Sequence, residues 1–153
     1  PATTAPPVPA TSEVDYRTLR ISKRKIDHDL EDFEDLVPAA LGSMLDSLVS
    51  FTKGCYTGQE LVARMDARGA KAPSSLRWFV TSPWEHEPDG EAAEPFSIQV
   101  AETGQAAGEV HSVVMIDGRI EGFALIGRRY LDERLVLARG ITYAREIVEL
   151  SPL

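Results

Sequence analysis

A single cysteine stands at position 55 of this chain, inside the run Ser50-Phe51-Thr52-Lys53-Gly54-Cys55-Tyr56-Thr57-Gly58-Gln59-Glu60. Thr57 and Glu60 have the spacing of a capping box. The Thr57 hydroxyl accepts from the Glu60 amide and the Glu60 carboxylate reaches back to the Thr57 amide, so a helix is expected to begin here. Tyr56 then precedes the cap and Leu61 takes the fourth helical position, the arrangement of a hydrophobic staple. A thiol placed beside the positive end of a helix dipole, with Lys53 two residues away, is favoured as the thiolate, the form that reacts. The contrasting reading of Cys55 is a small buried hydrophobe, the usual state of a free cysteine. Its flanks, Gly54, Tyr56, Thr57 and Gly58, suit a turn better than a strand or a helix core.

A cysteine nucleophile of the protease type needs a histidine close in space as base. His28, His86 and His111 are the only histidines, and none has a neighbourhood that marks it as one. There is no phosphate-cradling glycine loop, no Gly-x-Ser-x-Gly elbow and no zinc motif. The acidic run Asp27, Asp29, Glu31, Asp32, Glu34 and Asp35 around His28 lacks the glycine and terminal glutamate of a calcium loop, and is read as a solvated helix face. No metal site is expected.

The whole chain sets the bounds. Its 153 residues make one domain, or one domain plus an arm, and 43% hydrophobic residues suffice for a core. A formal net charge of −8 disfavours direct nucleic-acid binding. One cysteine forms no internal disulfide and suits a reducing compartment, and no apolar run has the length of a membrane span. The expected protein is soluble and cytoplasmic, without a membrane partner. It begins with proline rather than methionine, so processing, trimming or a fragment is expected.

Three segments position the cysteine run. Residues 1–14, with four prolines among the first nine, read as an extended arm or linker. Residues 15–72 read as a helical segment. Asp15–Ile21 suits a short strand or the start of a helix. Ile26, Leu30, Phe33 and Val37 recur at helical spacing and predict a helix from about Ile26 to Leu36, stopped before Pro38. Leu41, Met44, Leu45 and Leu48 predict another, and the capped helix runs from Thr57 to about Arg68, ended by Gly69. Residues 73–153 read as strands: Leu76–Thr81, Phe96–Val100, Leu135–Ala138, Ile147–Leu150, and a hairpin of Glu109–Ile116 and Arg119–Ile126 about Asp117-Gly118. Asp-Gly between two alternating runs is the strongest short hairpin signal. Five or six short strands imply a small antiparallel barrel that closes its own edges. The fold class is therefore α+β.

The run Lys53-Gly54-Cys55-Tyr56-Thr57-Gly58-Gln59-Glu60, extended by Val62-Ala63-Arg64, resembles the signature of the YgfZ family. These are folate-binding proteins related in fold to the glycine-cleavage T-protein that support iron–sulfur cluster assembly and repair. The resemblance covers about the C-terminal half of such a protein. It implies a terminal barrel, whose Gly-x-Val-x-Ser hairpin is matched by Gly108-Glu109-Val110-His111-Ser112. It implies tetrahydrofolate or another folate as cofactor, iron–sulfur proteins or their assembly machinery as partners, and a link to tRNA modification. Cys55 becomes the functional thiol, with Lys53 holding the thiolate or a folate carboxylate. Tyr56, Gln59 and Arg64 join Lys53 as candidate folate contacts, against local roles as staple, cap and surface charge. Because most of the folate channel's wall lies outside this sequence, weak or absent folate binding is expected. The chain departs from the family between Ser22 and Asp27, where a glycine- and proline-bearing loop is replaced by residues of neither type. Two other readings stay open: a tetrahydrofolate-dependent aminomethyltransferase like the T-protein, and a non-catalytic interaction module.

Overall fold

The computed structural model describes residues 12–27, 36–45, 50, 54, 58, 60, 63, 71–83, 95–139 and 143–153. It is an α+β protein, with a helical N-terminal part followed by a closed antiparallel barrel, as the strand pattern predicts. Helix α1 spans Glu13–Ser22 and a kinked 3₁₀ helix spans Pro38–Met44. The strands are β1 Ser74–Thr81, β2 Ser97–Val100, β3 Ala106–Ile116, β4 Arg119–Gly127, β5 Leu135–Arg139 and β6 Tyr143–Pro152. Around the barrel they follow the order β1-β4-β3-β2-β5-β6, and β1 closes the ring by pairing with both β4 and β6.

The hairpin sits where Asp-Gly places it. Ile116 pairs with Arg119, and Asp117 and Gly118 take φ 48° and 71°, the left-handed pair of a type I′ turn. Closing so few strands requires sharp bends, and three register shifts supply them. Val148 on β6, Ala107 on β2's partner β3, and His111 on β3 are each passed over in the ladder. Extra residues of this kind bend a strand and raise its twist. At one of them Thr81, fully buried, mends the ladder: its hydroxyl accepts from the Ile120 amide at 3.1 Å and donates to the Ser82 carbonyl at 3.1 Å.

β1 explains the architecture. It is covered on both faces. Phe79 points inward among Ile98, Val100, Ile120, Ala124, Ile126, Leu135 and Leu137. Leu76, Trp78 and Val80 point outward and form a second cluster with Ile21 of α1 and Phe123 of β4. Ile26, Leu41 and Leu153 pack on that cluster's margin, and the Ser43 hydroxyl donates to the Leu153 carbonyl. The N-terminal part is thus a cover for one side of the barrel.

The ambiguous stretch Asp15–Ile21 is helix. The helix expected from Ile26 to Leu36 needs correction at both ends. Lys25–Asp27 and Leu36–Val37 carry no helix, and residues 28–35 lie outside the described ones. At the first end the chain is committed to closing α1. The Arg24 amide donates to the Ile21 carbonyl at 2.9 Å and the Lys25 amide to the Arg20 carbonyl at 2.9 Å, the two bonds of a Schellman closure. Its left-handed position is held by Arg24, φ 55°, where glycine is usual. A non-glycine residue there costs about 1 kcal/mol. Arg24 recovers it by lying 4.1 Å over the Trp78 ring and pairing with Glu149 at 2.8 Å. At the second end Pro38 disfavours helix in the residue before it.

Glu121, paired with Val80 and Val114 on the covered face, has its carboxyl pushed above 4.5, first by burial, against the pull of Arg24 and Arg119. A raised carboxyl contributes stability that is present below 4.5 and lost as pH rises through the folded-state value. Glu121→Gln is therefore expected to be more stable than the parent at pH 7 and equal to it at about pH 4. Urea midpoints at the two pH values test this, and a difference independent of pH would remove burial as the cause.

Candidate functional site

Of the cysteine run, Gly54, Gly58 and Glu60 are described, with Ala63 beyond it. The candidates Lys53, Cys55, Tyr56, Gln59 and Arg64 lie outside the described residues. All four described positions are exposed, and Glu60 and Ala63 are helical. A helix therefore does follow the cysteine, with one correction to its start. Gly58 has φ 85°, a left-handed backbone that cannot be the first turn of a right-handed helix. The helix containing Glu60 therefore begins after Gly58; Thr57, the expected cap, lies outside the described residues. The macrodipole acts within the first turn.

The two glycines of the run now separate. A Cβ at either would meet nothing within 4 Å, but Gly58 alone has a left-handed φ. Gly58→Ala is expected to cost about 1 kcal/mol through backbone strain, and Gly54→Ala close to nothing. Thermal unfolding of the two variants checks this, and equal melting temperatures would mean that the turn re-forms without a glycine.

Residues 22–27 are anchored to helix α1 and the barrel. Arg20, 4% exposed, lies 5.6 Å over the Phe123 ring and donates to the Lys25 carbonyl at 3.1 Å. Tyr16 donates its hydroxyl to the Asp27 carboxylate at 2.9 Å. The cations of this segment thus serve packing as well as charge. His28 and His86 lie outside the described residues. His111 is the passed-over residue of the β3 bulge and is half-buried.

Sequence reasoning missed two inward arginines. Arg145, 8% exposed, faces Leu137 across the β5–β6 ladder and donates to the carbonyls of Ser82 at 3.0 Å and Gly118 at 3.4 Å. It ties the hairpin end of the barrel together. Arg77 interrupts the apolar run of β1. In both strands the signal available was a charged residue in phase with interior positions.

Among the described residues no helix is long and apolar enough to cross a membrane. No family model matches the chain. It is 31% identical over 113 residues to the tRNA-modifying protein YgfZ of Hamiltonella defensa subsp. Acyrthosiphon pisum, covering 73% of this chain and 32% of that protein. With the tRNA-modifying protein YgfZ of Enterobacter sp. (strain 638) it shares 33% over 93 residues, 60% of this chain and 27% of the relative. An uncharacterized protein of Haemophilus influenzae is 30% identical over 122 residues, 71% of this chain and 42% of its own length. The chain spans between 27% and 42% of the length of these curated relatives. The cysteine run, the barrel behind it and these matches agree on one statement: over most of its length this chain is similar to YgfZ proteins.

Proposed function

We propose that this chain is the cysteine-bearing portion of a YgfZ-type protein that supports the assembly or repair of iron–sulfur enzymes, including enzymes that modify tRNA. Cys55 is its working thiol. The observation that carries the reading is the contiguous run from Lys53 to Glu60, joined to similarity with proteins named as tRNA-modifying YgfZ. A folate is the cofactor, met by Lys53, Tyr56, Gln59 and Arg64, and the rest of its channel belongs to the part of the relatives that this chain does not span. The protein acts in the cytoplasm, where a lone thiol stays reduced.

The role is accessory rather than turnover. A thiol held as thiolate near Lys53 can carry or exchange a group with a client, and no base is assigned for hydrolysis. The test is complementation of a bacterial strain lacking its own YgfZ, read as the activity of an iron–sulfur tRNA-modifying enzyme. The full-length protein is expected to restore activity, and its Cys55→Ala variant to restore less than about a tenth of it. Full rescue by the variant would overturn the role of the thiol. Methylene transfer from an aminomethyl-lipoyl donor would instead identify an aminomethyltransferase. Alkylation gives a second readout: Cys55 is expected to react faster at neutral pH than a model peptide thiol, and Lys53→Ala to slow it.

A further inference from the structure

Helix α1 presents its two sides to different surroundings. Arg20 and Ile21 face the barrel and are buried. Tyr16, Leu19 and Lys23 follow one another at the spacing i, i+3 and i+7, which lines them up along one stripe. The Lys23 amide donates to the Leu19 carbonyl at 3.0 Å, so the helical path holds as far as Lys23. Tyr16 is 46% exposed and Leu19 57%. Arg17, Lys23 and Lys25 are exposed beside them.

The charge of this stretch runs against that of the chain. Between Asp15 and Asp27 the sequence holds Arg17, Arg20, Lys23, Arg24 and Lys25 and no acidic residue, in a chain of net charge −8. At physiological ionic strength a charge is screened beyond about 8 Å. A partner at α1 therefore meets these cations rather than the net charge of the whole chain. The surface is also set before a partner arrives, which lowers the cost of binding. The Lys25 amide donates to the Arg20 carbonyl at 2.9 Å, and the Arg20 guanidinium donates to the Lys25 carbonyl at 3.1 Å. The Tyr16 hydroxyl donates to Asp27 at 2.9 Å, which orients the ring. Cations in the last turn also complement the helix dipole. That accounts for Lys23. It does not account for Arg17 in the middle of the helix, nor for an aromatic and an aliphatic side chain left half in water.

The kind of partner follows from this mixture. A lipid surface calls for a broad apolar side, and Ile21 is already spent on the barrel. An acidic peptide would pair with the cations and make no use of the tyrosine ring. Single-stranded RNA uses both, since its phosphates pair with Lys and Arg and its bases stack on aromatic rings. We propose that Tyr16, Arg17, Leu19, Lys23 and Lys25 form a docking surface for single-stranded RNA, with phosphates on the three cations and a base on Tyr16. The choice of RNA over DNA rests on the reading of this protein as a helper of tRNA modification. The surface itself depends on neither Cys55 nor folate.

The test is fluorescence anisotropy of a labelled oligouridylate of about 12 nucleotides titrated with the chain, beside oligothymidylate, poly-glutamate and phosphatidylglycerol vesicles. A dissociation constant on the order of 10⁻⁵ M is expected for the oligouridylate, with log K falling against log salt at a slope of about −2, the value for three phosphate contacts on a single strand. Changing Lys23→Gln and Lys25→Gln together should weaken binding and reduce the slope to about −0.7. Tyr16→Ala should weaken binding about tenfold with the slope unchanged, and Tyr16→Phe should keep most of it. These positions are exposed, so the variants should fold as the parent does. Cys55→Ala should bind RNA as the parent does, so that failure of the thiol's role and failure of this surface are read apart. No binding of the oligouridylate, a slope unmoved by the lysine changes, equal or tighter binding of poly-glutamate or vesicles, or tighter binding of oligothymidylate would overturn the proposal.

Discussion

Gly122→Ala is expected to destabilise the barrel by about 3 kcal/mol or more, the upper range for forcing an added methyl into a packed interior. Gly122 lies in β4 opposite Val113, one residue from Phe123 and its packing against α1. A Cβ built there would stand 2.2 Å from the Ser112 carbonyl oxygen and 3.1 Å from two carbons of the Phe79 ring. Neither neighbour can yield. The carbonyl belongs to the β3 backbone just past the His111 bulge, where the ladder resumes at Ser112–Phe123. The ring is fully buried at the centre of the interior cluster. Relief would require β3 and β4 to part, at the site of the bend that lets the ring close. Urea unfolding provides the measurement: the midpoint should fall with little change in the denaturant slope. A loss below about 1 kcal/mol would mean that the bulge shifts to make room, and that closure does not depend on this approach.

Phe123→Ala is expected to cost about 3–5 kcal/mol, the range for deleting a buried aromatic side chain. Its distinguishing consequence is local. Phe123 is fully buried on the outer side of β4, where it meets Ile21, Leu76, Trp78 and Val80 and underlies the Arg20 guanidinium. It is the junction between helix α1 and the barrel wall. Loss of the ring removes the floor beneath Ile21 and Arg20 together, so α1 should lose protection against amide exchange ahead of the strands. Phe79→Ala serves as the control. It deletes a ring of the same kind from the interior face, so its cost should be similar while α1 exchanges only with the barrel. Equal exchange of α1 in both variants would refute a cover whose docking depends on Phe123.

Much of the barrel was legible in the sequence because its signals are local. Asp117-Gly118 demands left-handed backbone at both positions and gets it. Alternation in Phe96–Val100 and in the hairpin arms marks strands, since period two puts one residue type on each face. Their limits moved by only a few residues, as with β1, which begins at Ser74 rather than Leu76. The helical readings fared differently. Apolar spacing at Ile26 and Val37 reflects contact or connection rather than helix. Ile26 packs on the outer cluster from a non-helical backbone, and periodicity does not distinguish the two. The helix start after the cysteine was not legible because Gly58, which has a left-handed backbone, is compatible with either backbone.

The sequence by itself determined the strands, their hairpin and the cysteine run, all of which follow from neighbours within a few residues. Only the tertiary structure decided that β1 joins β4 to β6, and that Leu76, Trp78 and Val80 on its outer face are covered by the N-terminal part. It alone brought Arg145 to the carbonyls of Ser82 and Gly118, residues far apart in the chain. The reason is physical. Ring closure and burial are fixed by contacts between distant residues, and which carbonyls a guanidinium meets is settled when those contacts form.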